Sequence, residues 1–226
     1  MLRLALLLVV FLPVSAWAED SQRQIVVSAT GSADATPDMA TVTVGVSREA
    51  PTAAEAMHAM AEAAQAVLVE VTNSSIAERD VQTTSVNLNP VWEPTNTRPP
   101  QIRGYAASTR VSIRVRDLER LGALLDTVVG SGANELNGLN FGIADTAPLE
   151  RAARADAVAR AAEKAETLAS AAGVTLGPVQ TISEGGAVSA PAPMMRGAMM
   201  EAAAVPIASG ELTIRVTVTA TFAISD

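Results

Sequence analysis

The sequence predicts an α+β fold, a mainly antiparallel sheet packed against three helices in the order ββ-α-ββ-α-β-α-ββ. Three observations carry this. Near the C-terminus Leu212, Ile214, Val216, Val218, Ala220, Phe222 and Ile224 alternate with Thr213, Arg215, Thr217, Thr219 and Thr221, the period of a half-buried strand. Three other stretches carry apolar residues at three- and four-residue steps, the helical period. Strand pairs joined by single helices, with one face of the strands polar, are the pattern of antiparallel sheet covered by helices on one side.

In chain order, Ile25, Val27 and Ala29 alternate with Val26 and Ser28 in a short strand expected to end at Gly31. After Pro37-Asp38 a second strand sets Val42, Val44 and Val46 on one face, and the pair is expected to form a hairpin. Pro51-Thr52 opens a helix to about Val71, whose buried stripe is Ala53, Met57, Met60, Ala64, Val67 or Leu68, and Val71. Glu55, His58, Glu62 and Gln65 share the opposite face. Residues 81–92 have strand character, with Val86 and Leu88 on one side. Residues 90–100 hold four prolines and are expected to form a loop, since proline cannot sit in a central strand. The strand after it faces Tyr105, Ala107, Thr109, Val111, Ile113 and Val115 one way and Ser108, Arg110, Ser112, Arg114 and Arg116 the other.

Asp117 is placed to cap a second helix with Leu118, Leu121, Leu124, Leu125, Val128 and Val129 at helical spacing, stopped by Gly130-Ser131-Gly132. Leu136, Leu139, Phe141 and Ile143 form a short extended segment. Asp145 or Thr146 caps a third helix, Pro148 fits its first turn, and Gly173 ends it. Its expected seam is Leu149, Ala153, Ala157, Ala161, Ala165, Leu168 and Ala172; Glu150–Arg154 and Asp156–Arg160 are i,i+4 ion pairs. Val179 and Ile182 begin a further strand. Residues 185–206, rich in Met, Ala and Pro, are expected to form a low-complexity loop.

Residues 1–18 have the form of a secretory signal: Arg3, an apolar run over 4–12, and Ala16-Trp17-Ala18 as a small-x-small site with the cut after Ala18. Nine apolar residues are too short to span a bilayer, so no membrane anchor is expected after cleavage, and residues 19–226 form one domain. Loss of Arg3 takes the net charge from −8 to −9, which argues against nucleic-acid binding. With no Cys, one His and one Lys in 226 residues, cysteine nucleophiles, thiolate metal sites and multi-histidine centres are excluded. No catalytic residue and no cofactor is expected, and the core must be built from Ala, Val, Leu and Ile.

Several segments together resemble the SIMPL-domain family, which includes bacterial periplasmic immunogenic proteins. They are Val27-Ser28-Ala29-Thr30-Gly31 with Pro37-Asp38, Val44-Gly45-Val46, Asp80-Val81-Gln82-Thr83, Gly104-Tyr105 and Gly132-Ala133-Asn134 before Phe141. The stretch from Ala153 through Lys164-Ala165 to Leu168-Ala169, then Gly173, Leu176-Gly177-Pro178-Val179 and Gly210-Glu211, completes the set. The resemblance implies an α+β fold, a periplasmic location, a tendency to large ring-like homo-oligomers and, from some relatives, tolerance of oxidative stress. It carries over no catalytic residues.

Four groups of side chains stand out as candidate sites. Met194, Met195, Met199 and Met200 offer thioethers that suit Cu(I) or act as an oxidant sink, or simply pack at a contact. His58, between Glu55 and Glu62, is a candidate metal ligand or base, or part of a solvated face. Trp92 in the proline-rich segment is a candidate oligomer anchor, or folds back on the sheet edge. Arg110, Arg114 and Arg116 form a basic row that could meet acids of a neighbouring subunit. The expected function is a non-enzymatic exported protein that self-assembles and supports envelope homeostasis or stress tolerance, its envelope partners unspecified. Soft-metal binding through the Met segment is the alternative, and a carboxylate hydrolase comes third.

Overall fold

A computed structural model describes residues 23–93, 99–194 and 208–226, with 186–194 as backbone only. The elements follow the expected order: β1 (Gln24–Ala35), β2 (Met39–Ala50), α1 (Ala53–Asn73), β3 (Val81–Trp92), β4 (Ile102–Val115), α2 (Leu121–Gly130), β5 (Glu135–Gly142), α3 (Ala147–Ala172), β6 (Thr175–Met194) and β7 (Glu211–Ser225). Short 3-10 turns at Glu78–Asp80 and Leu118–Arg120 precede β3 and α2. The strands form two antiparallel sheets, β1-β7-β6 and β3-β4-β2-β5.

The expected hairpin of the first two strands does not form. β1 pairs with β7 in one sheet, and β2 pairs with β4 and β5 in the other. Alternation sets which face of a strand is buried but does not name its neighbour. The short crossover between them is fixed by Asp38, whose N–H donates to the Gly142 carbonyl at 3.1 Å and whose Oδ1 accepts from the Ala144 N–H at 2.8 Å.

Each sheet has its own core. Val42, Val44 and Val46 of β2 and Val111, Ile113 and Val115 of β4 pack on Ala56, Met60, Val67 and Val71 of α1 and Leu121, Leu124 and Val128 of α2. Val129, expected in the α2 stripe, is exposed. α1 begins with a reciprocal cap: the Thr52 hydroxyl accepts from the Glu55 N–H, and the Glu55 carboxylate accepts from the Thr52 N–H.

In the other sheet β7 is the central strand, and its predicted inward residues from Leu212 to Phe222 are buried. Thr213, expected on the solvated face, is buried too, its hydroxyl donating to Asp34 Oδ1 at 2.7 Å. The seam of α3 is Ala153, Ala157, Ala161, Ala165 and Ala169, whereas Leu168 and Ala172 are exposed. Four-residue steps keep this line of alanines on the contact, and Leu168, three residues after Ala165, lies off it.

Two expected loops begin later than the sequence indicated. β3 is an edge strand, where proline is tolerated, and it continues through Pro90, opposite Tyr105, to Trp92. β6 continues through Met194, paired along β7 with several register shifts; residues 195–207 lie outside the described residues, as does the signal at 1–18. The open edge of β1 is held by α3, because Lys164 Nζ donates to the Ser28 carbonyl at 3.1 Å and Asp156 Oδ2 accepts from the Ser32 N–H at 2.9 Å. No helix among the described residues is long and apolar enough to cross a membrane.

Candidate functional site

The arginine row lies on the face of β4 turned away from the core, as its alternation requires. Its side chains meet acids of their own chain. Arg116 makes a two-point contact with Asp80, Nε to Oδ2 at 2.9 Å and Nη2 to Oδ1 at 2.8 Å. Arg114 Nη1 lies 3.6 Å from the same Oδ1, and Arg110 Nε lies 3.9 Å from Glu135 Oε2. Asp80 ends the turn after α1 and precedes Val81, which pairs with Ile113, so it arrives beside Arg114.

The Asp80 carboxylate is only 4% exposed, while the side chains of Arg114 and Arg116 remain about half exposed at 48% and 47%. The Arg116 guanidinium beside it holds the Asp80 carboxyl below its usual range, against the opposing effect of burial, and the charges of Arg114 and Arg79 act in the same direction. Arg116 is raised in return by its bond to Asp80.

These residues line a cleft of about 350 Å³ between the end of α1, the end of β4 and the start of α2. Arg79, Arg114, Arg116 and Arg120 face it alongside Asp80 and Asp117, with Ile76, Val115 and Leu124 among its apolar walls. Asp80 was not apparent from sequence as a site residue. A single acid before a strand gains significance only once the register brings it beside two arginines.

The other candidates do not join this cluster. His58 is exposed on α1, with Nδ1 3.6 Å from Glu62 Oε2, and the Glu55 carboxylate is occupied at the Thr52 cap. Trp92 ends β3, is 53% exposed, and stands opposite the exposed Ile102 across the β3–β4 ladder. Val86 and Leu88 are exposed on the same strand although their cross-strand partners, Thr109 and Ala107, are buried beneath α1's side of the sheet. Met194 closes β6 opposite Glu211, and Met195, Met199 and Met200 lie outside the described residues.

A family model described as "SIMPL: Protein of unknown function (DUF541)" matches residues 25–222. The chain is 39% identical to the 26 kDa periplasmic immunogenic protein of Brucella melitensis over 224 residues, covering 92% of this chain and 90% of that protein. The protein of the same name from Brucella abortus matches at the same identity and coverage. The protein YggE of Escherichia coli strain K12, described as uncharacterized, is 30% identical over 187 residues, 83% of this chain and 75% of its own length.

Proposed function

The chain belongs to the SIMPL family, and from that membership we propose that it is an exported, periplasmic protein that works by self-assembly rather than by turnover. Export is supported by the Arg3, 4–12 and Ala16-Trp17-Ala18 pattern and by the names of the Brucella relatives. The observation that carries self-assembly is the uncovered apolar edge of the β3–β4 hairpin: Val86, Leu88, Trp92 and Ile102 are each more than 40% exposed. Clustered apolar surface of this kind marks a contact, and its place at the sheet's edge suits docking between copies.

Its physiological role in this reading is support of the envelope under oxidative stress. The test is light scattering on the protein after signal removal. An assembly of several subunits is expected, and Leu88→Asp with Trp92→Asp should shift it to monomer while leaving the circular dichroism spectrum unchanged. A monomeric wild type would overturn the reading. A deletion strain that survives peroxide like its parent would overturn the stress role alone.

A further inference from the structure

We infer that the cleft around Asp80 is a binding site for a small phosphomonoester dianion. The cleft has a buried anion behind and cations in front. Asp80 is sealed from solvent, and both of its oxygens are taken by Arg116, with Arg114 close by. The arginine side chains that hold it are half exposed and line the cleft. A carboxylate in this position orients the arginines, and its own charge is offset by the guanidiniums that hold it, as an outer-shell acid orients a metal-binding histidine.

Arg79 and Arg120 complete the lining. Arg79 is exposed and has no salt-bridge partner within 4 Å among the described residues. Arg120 has a loose contact of 3.8 Å to the exposed Asp117. Four cations against Asp80 and Asp117 leave the lining two positive charges in excess, in a chain whose net charge is −8. The C-terminal carbonyls of α1 also border the cleft and oppose an anion. They are partly quenched: Glu70 O accepts from both the N–H and the hydroxyl of Ser74, and Thr72 O accepts from the Ser75 N–H.

A phosphomonoester carries a charge of about −1.5 to −2 at neutral pH and presents acceptors that match guanidinium geometry. The volume falls within the range of small-ligand clefts, and Ile76, Val115 and Leu124 offer an apolar wall to the group esterified to the phosphate. The same headgroup chemistry occurs in soluble phosphate esters and in phosphatidic acid, and the experiment separates the two sources.

Calorimetric titration of the purified protein with phenyl phosphate is expected to give saturable binding that inorganic phosphate competes for and that benzoate, a monoanion, matches poorly. Arg79→Gln combined with Arg120→Gln should weaken it by at least about tenfold with unchanged melting, since neither side chain supports the fold. Arg79→Gln alone should give an intermediate loss, and Arg103→Gln, at a distant surface pair, none. Binding to vesicles of phosphatidic acid in phosphatidylcholine, with the same variant losses and no response to phenyl phosphate, would assign the site to the lipid headgroup. No binding to either probe, or binding that the double variant leaves intact, overturns the inference whatever the protein's assembly state.

Discussion

Gly31 of β1 lies so close to Ala157 of α3 that a Cβ added to the glycine would stand 2.2 Å from the Ala157 nitrogen and 2.3 Å from the Ala153 carbonyl oxygen. The obstruction is helix backbone, which cannot rotate aside as a side chain can. The alanine seam and the missing side chain at Gly31 are two halves of one contact, and together they let α3 lie directly on the β1 edge of its sheet. Gly31→Ala should therefore lift the helix and cost about 1–3 kcal/mol or more. Gly122→Ala, in α2 where nothing lies within 4 Å, should instead stabilise by about 0.5–1 kcal/mol. Chemical denaturation of the two variants measures both signs.

Asp80→Asn tests the ion pair under the cleft. The amide keeps the shape but surrenders the charge-assisted bonds to Arg116 and leaves a donor where an acceptor stood. Hydrogen bonds to charged groups contribute about 1.5–3 kcal/mol, which in a domain of this size corresponds to a fall in Tm of several degrees. A melting curve within a degree of wild type would mean that solvent replaces Arg116 at no cost.

The same pair predicts an acid limb. The folded-state value of Asp80 is depressed below the ordinary 3.8, so its contribution is complete above that value and is lost as pH falls through the folded one. Asp156 shifts in the same direction, chiefly because its carboxylate accepts from the Ser32 N–H and secondarily through Arg160. Stability should be insensitive to these groups near neutrality and decline below about pH 4. The gap between wild type and Asp80→Asn should close over that acid range; a gap that widens as pH falls contradicts the assignment.

The sequence made element order and burial legible where one periodic signal dominated. The β7 alternation, the α1 stripe from Met60 to Val71 and the α3 stop at Gly173 all depend on neighbours within a few residues, whereas Thr146 makes no capping bond and it is Asp145 Oδ1 that accepts from the Ala147 N–H. What it left open was pairing. Val42, Val44 and Val46 alternate identically whether β2 lies beside β1 or between β4 and β5, so the division into two sheets could not be read from them. The site followed the same rule: the facing of Arg114 and Arg116 was legible, but their partner Asp80 is 34 and 36 positions away and becomes visible only through the β3–β4 register. Residues 81–92 read as a strand and form β3, but the loops expected from Pro90 and from residue 185 start later, because composition does not reveal that β3 and β6 are edge strands.

Val216 joins the two strongest features of the smaller sheet. It is 2% exposed at the centre of β7 and pairs in register with Gly31, so its side chain sits next to the place where α3 meets the sheet. Val216→Asp would put a carboxylate among Val27, Ala157, Val218 and the other members of that apolar cluster. Burying an unpaired polar group there costs on the order of 4 kcal/mol or more, against a total stability of about 5–15 kcal/mol for a typical domain. The smaller sheet has few other large buried residues with which to absorb the loss, so insolubility or loss of cooperative melting is expected. Arg215→Asp, one residue earlier on the exposed face, should change stability by no more than about 0.5 kcal/mol. If the two variants melt alike, the facing of β7 and the alanine-seam core built on it are both wrong.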